Sequence, residues 1–596
     1  MFVSFINMSQ FFVSSDKVKT GQTFVAVPSE NGLDYRPGGR IDLYIPPTSK
    51  FIDLSQTKLK FSVSLALPAG TDAGLVRLQL DGQTGLHSLI RSVRVFTGRK
   101  TALLEEIEGY DVLTALRFDY ETNENLRNKR VLTDGATGYD PASRGTEGTT
   151  KTVQGNCFSN PYFSKIESNT TLTASFTKAS SNDFQVVTGE LELNTGLFRN
   201  DAVFPALLTD GLFIEILLQD STKVFRQLDS TLESRRLNLN PVFHSTNGSD
   251  TAATTSGSWK NASEISSFYV TRQNNQTSVP TFPFVVGQRV GFAKPDGTSL
   301  NGSSASITQI EYSTGGAGTA FGTSKIKVTL SKDIKNTMGA TAPNTIKPVL
   351  ISRSTELATS YQPTYTVSNV EMVVAQITVP DGYESSMMAM MSEGGTMNYD
   401  YRSFTNYRYS QVKDDLVVNM RLPLIESRAT SILCIPTDAT PYKAHEALSA
   451  SRTYLIDSNA EDIQNFSARS GLVGIVDELQ NYQLIYDGKI NPSRRVDTTK
   501  ISNRVSISQQ WAIEAEKALA MADIEPLSFR PFRENFFIGR SLALGRNSVY
   551  DARGKDFNLQ LEYTGAASPS MNHLWMNFVS HVRRLVIRQG GLAVEV

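Results

Sequence analysis

Five histidines, two cysteines and a few charged clusters are the residues of this chain that could carry chemistry. His87, His244, His445, His573 and His581 are spread so that no two stand at the i, i+4 separation of a helical metal pair, and neither Cys157 nor Cys434 lies beside one of them. Without such spacing an imidazole has no nearby ligand or nucleophile to work with, so the expectation is polar or edge histidines satisfied by the fold. His573 and His581 fall in a segment that reads as strand. Two cysteines are too few for a disulfide framework or a zinc ribbon, and both are expected to be free thiols in a reducing compartment.

The loops give no stronger chemistry. Gly98-Arg-Lys-Thr101 has a superficial likeness to a phosphate-binding loop, but Arg99 separates the glycine from Lys100, so a tight turn between the strand ending at Phe96 and a following helix is expected. Gly316-Ala-Gly318 with Gly322 has the wrong spacing for a dinucleotide fingerprint, and no Gly-x-Ser-x-Gly elbow occurs. The carboxylates of Glu105-Glu106 and Asp414-Asp415 are adjacent, so on a regular element they point apart rather than converge on a substrate. Arg494 and Arg495, and Arg583, Arg584 and Arg588, read either as local contacts to nucleic acid or an acidic partner, or as solvated faces, the simpler reading. The sequons at Asn247, Asn261 and Asn301 occur without a secretory signal and read as products of local composition. No catalytic, cofactor-binding or metal residue is assigned, and no cofactor and no enzymatic activity is expected.

The elements that would position any site are mainly strands. A chain of 596 residues exceeds one core and suggests two to four units. Lys plus Arg is 58 against 59 for Asp plus Glu, which excludes both a bulk-basic nucleic-acid wrapper and an acidic solvating chain. Leu59, Phe61, Val63, Leu65 and Leu67 alternate with polar or small residues, as do Phe557, Leu559, Leu561 and Tyr563. Leu212 to Leu218 is apolar on both faces and reads as a central strand. Two helices are expected. One covers Thr101 to Arg117, on the spacing of Leu103, Ile107, Tyr110 and Leu113. The other covers Ser506 to Ala520, with Ser506 and Gln509 at capping-box spacing and Trp511, Ala515, Ala518 and Leu519 in one stripe. From about 243 to 350 the chain turns rich in Ser, Thr, Gly and Asn, yet keeps strand-like pieces such as Lys325 to Leu330. An inserted small β-subdomain is therefore expected there. No run of about 18 apolar residues is present, so no membrane span is expected. The reading is all-β: an N-terminal arm at 1–35, a first β-block at 36–380 carrying the insertion, a connector at 381–395 and a second block at 396–596. In each block strands precede a helix-bearing excursion and more strands follow.

Several stretches together resemble a known family. Arg36-Pro-Gly-Gly-Arg-Ile-Asp-Leu-Tyr-Ile-Pro-Pro47 followed by Asp53-Leu-Ser-Gln-Thr-Lys-Leu-Lys-Phe-Ser-Val63 is similar to the opening strands of double jelly-roll major capsid proteins of virophages and polinton-like viruses. Tyr365-Thr-Val-Ser-Asn-Val-Glu-Met-Val-Val374 resembles the strand that closes their first jelly roll. Tyr482-Gln-Leu-Ile-Tyr-Asp-Gly-Lys-Ile-Asn-Pro492 and Phe537-Ile-Gly-Arg-Ser-Leu542 resemble elements of the second. The resemblance implies two eight-stranded jelly rolls side by side, and a homotrimeric, pseudo-hexameric capsomer that tiles an icosahedral capsid. It also implies a virion protein made in the host cytosol and assembled inside the host cell. Implied partners are the chain itself, neighbouring capsomers, penton and minor capsid proteins, and at most indirect or weak contact with packaged DNA. The insertion then reads as an outward tower, and the N-terminal arm as an inner-face segment reaching a neighbour or a minor capsid protein. The rival readings are a viral receptor- or carbohydrate-binding β protein of fibre or lectin type, and a β-sandwich enzyme, which would need acids converging in a cleft.

Overall fold

The computed structural model describes residues 20–66, 84–122, 187–224, 364–439, 472–499, 509–526, 536–563 and 572–588 almost continuously, with shorter pieces between them. Strands dominate. The first group comprises β1 (Gly21–Pro28), β2 (Asp34–Tyr35), β3 (Arg40–Ile45), β4 (Phe51–Ala66), β5 (Ile90–Thr97), β6 (Leu103–Glu108), β7 (Val187–Glu192), β8 (Leu212–Leu218) and β9 (Thr364–Thr378). They form two sheets, ordered β1-β9-β4-β7, with β2 also on β9, and β3-β8-β5-β6. Lettered B to I along the chain, with β1 and β2 sharing position B, these orders are B-I-D-G and C-H-E-F. That is the jelly roll, an antiparallel sandwich of two Greek keys.

The second group repeats it: β10 (Met397–Gln411), β11 (Val417–Leu422), β12 (Ala429–Asp438), β13 (Leu479–Tyr486), β14 (Lys489–Asp497), β15 (Ile538–Ser541), β16 (Phe557–Tyr563) and β17 (His573–Arg588). Its sheets run β10-β17-β12-β15 and β11-β16-β13-β14, again B-I-D-G and C-H-E-F, with a last strand β18 (Gly591–Glu595) added on β17. The fold is a double jelly roll. In both halves a helix follows strand F: α1 (Tyr110–Glu121) after β6 and α3 (Gln509–Met521) after β14. A further helix, α2 (Asp381–Ser392), links the halves.

The alternating segments behave as period-two logic requires. In β16 Phe557, Leu559, Leu561 and Tyr563 are buried while the residues between them are half-exposed. β8 lies between β3 and β5, and its second apolar face is covered at Phe213 by the Lys100 ammonium, 3.6 Å from the ring centroid. α3 buries Trp511, Ala515, Ala518 and Leu519, and the Trp511 indole donates to the Phe537 carbonyl at 2.7 Å. The Ser506 capping position lies outside the described residues.

Three expectations change. The helix expected over Thr101–Arg117 is strand β6 up to Glu108, then Gly109 at φ +75°, then α1. The apparent helical spacing of Leu103, Ile107, Tyr110 and Leu113 straddles a strand, a left-handed turn that glycine takes without strain, and a helix. The turn at Gly98 to Thr101 therefore joins two strands, and the Asp210 carboxylate accepts the backbone N–H groups of Gly98 and Arg99 at 3.2 and 3.1 Å. At the N-terminus, residues 21–35 of the expected arm supply strands β1 and β2 on β9. Residues 1–19 lie outside the described residues. The segment 381–395 is mostly the helix α2.

Between β8 and β9 the chain contributes strands at Pro241–Phe243, Glu264–Thr271, Arg289–Ala293, Ser299–Tyr312, Ser324–Lys335 and Lys347–Leu350. They form one seven-stranded sheet together with Leu172–Ala174, which comes from the earlier F–G connection. No described helix is long and apolar enough to cross a membrane.

Candidate functional site at the seam between the sandwiches

The polar side chains that sequence reasoning could not place converge where the two jelly rolls meet. β6 is the edge of its sheet, so one row of its backbone groups has no strand partner. Side chains of the second roll stand there instead. The Leu104 carbonyl accepts the Tyr401 hydroxyl at 2.5 Å and the Arg583 guanidinium at 2.7 Å. The Glu108 carbonyl accepts the Asn406 amide at 2.9 Å, and its carboxylate pairs with Arg408 at 2.7 Å. A hydrogen bond from each donor to a buried carbonyl contributes about 1 kcal/mol net, and a buried carbonyl left bare would lose more than that.

Glu105 holds the other half of the seam. Its carboxylate is fully buried and accepts the backbone N–H groups of Gly196 and Leu197 at 2.8 and 2.9 Å, tying the connection between β7 and β8 to β6. Burial raises its pKa, while those two N–H groups and the nearby Arg583 favour the charged form. Gly196 is pressed so close to β10 that an added Cβ would sit 1.4 Å from the Arg402 carbonyl oxygen. Further contacts extend the seam. The Tyr399 hydroxyl donates to the Ala202 carbonyl at 3.0 Å and the Asn200 amide to the Asp400 carbonyl at 2.8 Å. The rings of Tyr120 and Phe537 meet edge to face with centroids 5.4 Å apart. Removing the Glu105 carboxylate leaves two buried N–H groups without an acceptor. Glu105→Ala is therefore expected to lower stability by about 3 kcal/mol, read as a fall in melting temperature, whereas Glu106→Ala, whose carboxylate pairs with Arg94, changes little.

A cleft of about 260 Å³ opens on the seam, lined by Arg117, Arg199 and Arg402 and by Asp201, Asp400 and Asp523. Burial and the neighbouring Arg199 pull the Arg117 pKa down to about 10, which leaves it charged at neutral pH. The cleft holds balanced charge with no nucleophile beside a base.

The remaining sequence candidates are accounted for by packing. His87 is buried, with Nδ1 2.9 Å from the Tyr110 hydroxyl and Nε2 3.6 Å from the Asp134 carboxylate, which also pairs with Arg130. His581 is buried on β17; its Nε2 accepts from Arg583 at 3.0 Å and its Nδ1 lies 3.2 Å from the Val579 carbonyl. An acceptor at Nε2 fixes a neutral ring, and burial pulls its pKa down to about 3. His573 is buried on the same strand. Cys434 is a buried free thiol whose pKa burial pushes up, so it is unreactive. His244, His445 and the glycines at 316–322 lie outside the described residues, as does the side chain of Cys157.

The arginine clusters divide. Arg583 belongs to the seam, Arg584 makes a two-pronged pair with Asp400 at 2.7 and 2.9 Å, and Arg495 pairs with Glu562. Arg494 is exposed. Among the described residues no group of three or more His, Cys, Asp or Glu is placed to hold a metal ion.

What sequence reasoning missed was the seam itself. The one legible hint was the donor-rich text of β10, Asn398-Tyr-Asp-Tyr-Arg-Ser-Phe-Thr-Asn406, in which Tyr399 and Tyr401 alternate onto one face of a strand.

No protein-family model and no curated protein matches the sequence. Among solved structures the chain is similar to the Faustovirus major capsid protein at 9% identity and TM-score 0.44, covering 95% of this chain and 90% of that one. It is similar to a chain of the Sputnik virophage at 10% identity and TM-score 0.42, covering 97% and 89%. The mavirus major capsid protein matches at 8% identity and TM-score 0.40, covering 100% and 96%.

Proposed function

We propose that this chain is a shell-building subunit, the major capsid protein of an icosahedral virus, and that three copies form a pseudo-hexagonal capsomer. The observation that carries this reading is the duplication of one strand order, B-I-D-G over C-H-E-F, in two sandwiches locked side by side by a buried seam. A chain bearing two equivalent bodies needs only three copies to place six around an axis, and a six-sided outline tiles a surface. A formal net charge of −1 allows many copies to approach without large repulsion. The sequence resemblance to double jelly-roll capsid proteins points the same way.

In this reading the polar insertion at about 243–350 is a tower facing outward above the first roll. The first roll runs to about 380 and the second from about 396. The partners are further copies, penton and minor capsid proteins, with at most weak contact to packaged DNA. The chain acts in the virion after synthesis in the host cytosol, and it catalyses nothing. A glycan-binding fibre or lectin would present exposed aromatic platforms, whereas Phe24 is the one aromatic residue among the exposed large apolar side chains of the described surface.

The purified chain, 65.6 kDa, is expected to scatter light as a species of three copies and to show a hexagonal outline in negative stain. A monomer that resists association at high concentration would overturn the capsomer reading and make a glycan screen the next measurement.

A further inference from the structure

The cleft of about 260 Å³ on the seam sorts its charges by depth. Arg117 of α1 lies at its floor and is 4% exposed, Arg402 of β10 is half-buried, and Arg199 of the β7–β8 connection stands at the rim. The three lining carboxylates, Asp201, Asp400 and Asp523, belong to exposed residues, and Asp400 is already engaged by Arg584 at 2.7 and 2.9 Å. Exposed carboxylates are hydrated and screened, whereas a guanidinium at the floor is neither. Charges that balance in number therefore leave a positive interior behind a negative rim.

The protein satisfies Arg117 poorly. Among the described residues its Nε has no hydrogen-bond acceptor, and the Glu121 carboxylate that pairs with it stays 3.8 Å away. Its Nη2 reaches the Asp523 carbonyl only at 3.5 Å, beyond the ordinary range for such a bond. Glu121 is shared, since both its oxygens also lie 3.3 Å from Arg199. Two guanidiniums thus lean on one carboxylate, and the Arg199 charge adds to burial in opposing the charge on Arg117. A buried guanidinium donor left bare costs more than a made bond returns, so an acceptor is missing from this floor. Three carboxylates on one cleft raise a metal ion as the alternative occupant, but among the described residues no group of three or more His, Cys, Asp or Glu is placed to hold one.

We infer that the cleft binds a phosphate-class oxyanion, held by Arg117 and Arg199 from the first roll and Arg402 from the second. Donors arriving from a helix, a connection and a strand surround a tetrahedral anion better than a flat carboxylate, which a single two-pronged arginine satisfies. An anion seated there meets both sandwiches, so its binding and the closure of the seam favour each other. The site lies within one chain and does not depend on how many copies associate.

The test is calorimetric titration of the full-length protein with inorganic phosphate, and separately with adenosine monophosphate, at fixed ionic strength in buffer free of other oxyanions. One anion per chain is expected, and the melting temperature is expected to rise with the logarithm of its concentration once the site is saturated. Arg199→Gln and Arg402→Gln are each expected to weaken binding about tenfold, and Arg117→Met to abolish it. Asp201→Asn, which removes a rim charge, is expected to tighten it several-fold. Arg421→Gln is the control, an exposed arginine on β11 paired with Asp556 outside the cleft. If Arg117→Met fails to fold, the opposite signs at Arg199 and Asp201 carry the test, because structural damage would weaken binding in both. Uptake of the nucleotide in place of the free ion would support the inference and assign the phosphate group to a nucleotide. A wild type that takes up neither, or uptake that the arginine and aspartate variants leave unchanged, would overturn it.

Discussion

In Gly196→Ala the two sandwiches will no longer close on each other. The added methyl group would stand 1.4 Å from the Arg402 carbonyl oxygen, and that oxygen belongs to the backbone of β10, which cannot swing aside as a side chain would. On one side Gly196 is pinned by the Glu105 carboxylate through its own N–H at 2.8 Å; on the other, β10 is pinned by the Tyr401 and Asn406 bonds to β6. Either the Glu105 bonds break or the seam opens, and the expected cost is about 3 kcal/mol or more. Calorimetry is expected to show one cooperative transition in the wild type and, in the variant, a lower and broader one that divides as the rolls unfold separately. An unchanged transition would mean that the seam does not couple the two halves. Gly382 is the matched control: it lies on α2 with nothing within 4 Å of an added Cβ, so its alanine variant melts as the wild type does.

Acidification is expected to attack the same seam through His581. Its folded pKa is pulled down to about 3 from 6.5, because the ring is buried, faces the Arg583 guanidinium and must offer that guanidinium a lone pair. Unfolded chains bind this proton at about pH 6.5 and the folded chain does not. The group's contribution is therefore fully present above that pH and is lost progressively as the pH falls toward 3, on the order of a few kcal/mol over the whole window. The loss reaches both rolls, since the same Arg583 donates to the Leu104 carbonyl. His581→Gln keeps an acceptor for Arg583 and a donor for Val579 but cannot titrate, and its stability is expected to fall less between pH 6.5 and 4 in urea unfolding. Asp111, buried and pushed up to about 6, titrates with the opposite sign in both proteins, so it cancels from the difference. Parallel curves for the two proteins would show that His581 is not the acid-sensitive group.

The sandwiches were legible because their strands are half-buried: Leu59, Phe61 and Val63, or Phe557 to Tyr563, show on the page which residues face a core. The α3 stripe was legible for the same reason. β1 was not, because an edge strand with both faces open, Thr23-Phe-Val-Ala26, shows no alternation and reads as a tail. The span 101–117 was misread because apolar spacing carries no information about a reversal of backbone handedness at Gly109. The seam was hidden for a deeper reason. Leu104, Glu105, Gly196, Tyr401 and Arg583 are brought together across 479 positions of chain, and only the folded topology shows that a glutamate beside another glutamate is buried against two amides.

The way β6 is capped also decides what cannot bind there. Its outward carbonyls are met by a phenol, a guanidinium and a carboxamide, not by the backbone of another strand. A backbone ladder accepts nearly any sequence, which is how stray peptides and misfolded neighbours recruit an open edge into cross-β growth. A lock whose key is three particular side chains at the register of Tyr401, Asn406 and Arg583 admits no such substitute. Fidelity in joining one sandwich to the next is thereby written in side chains, and stray unfolded polypeptides cannot counterfeit it.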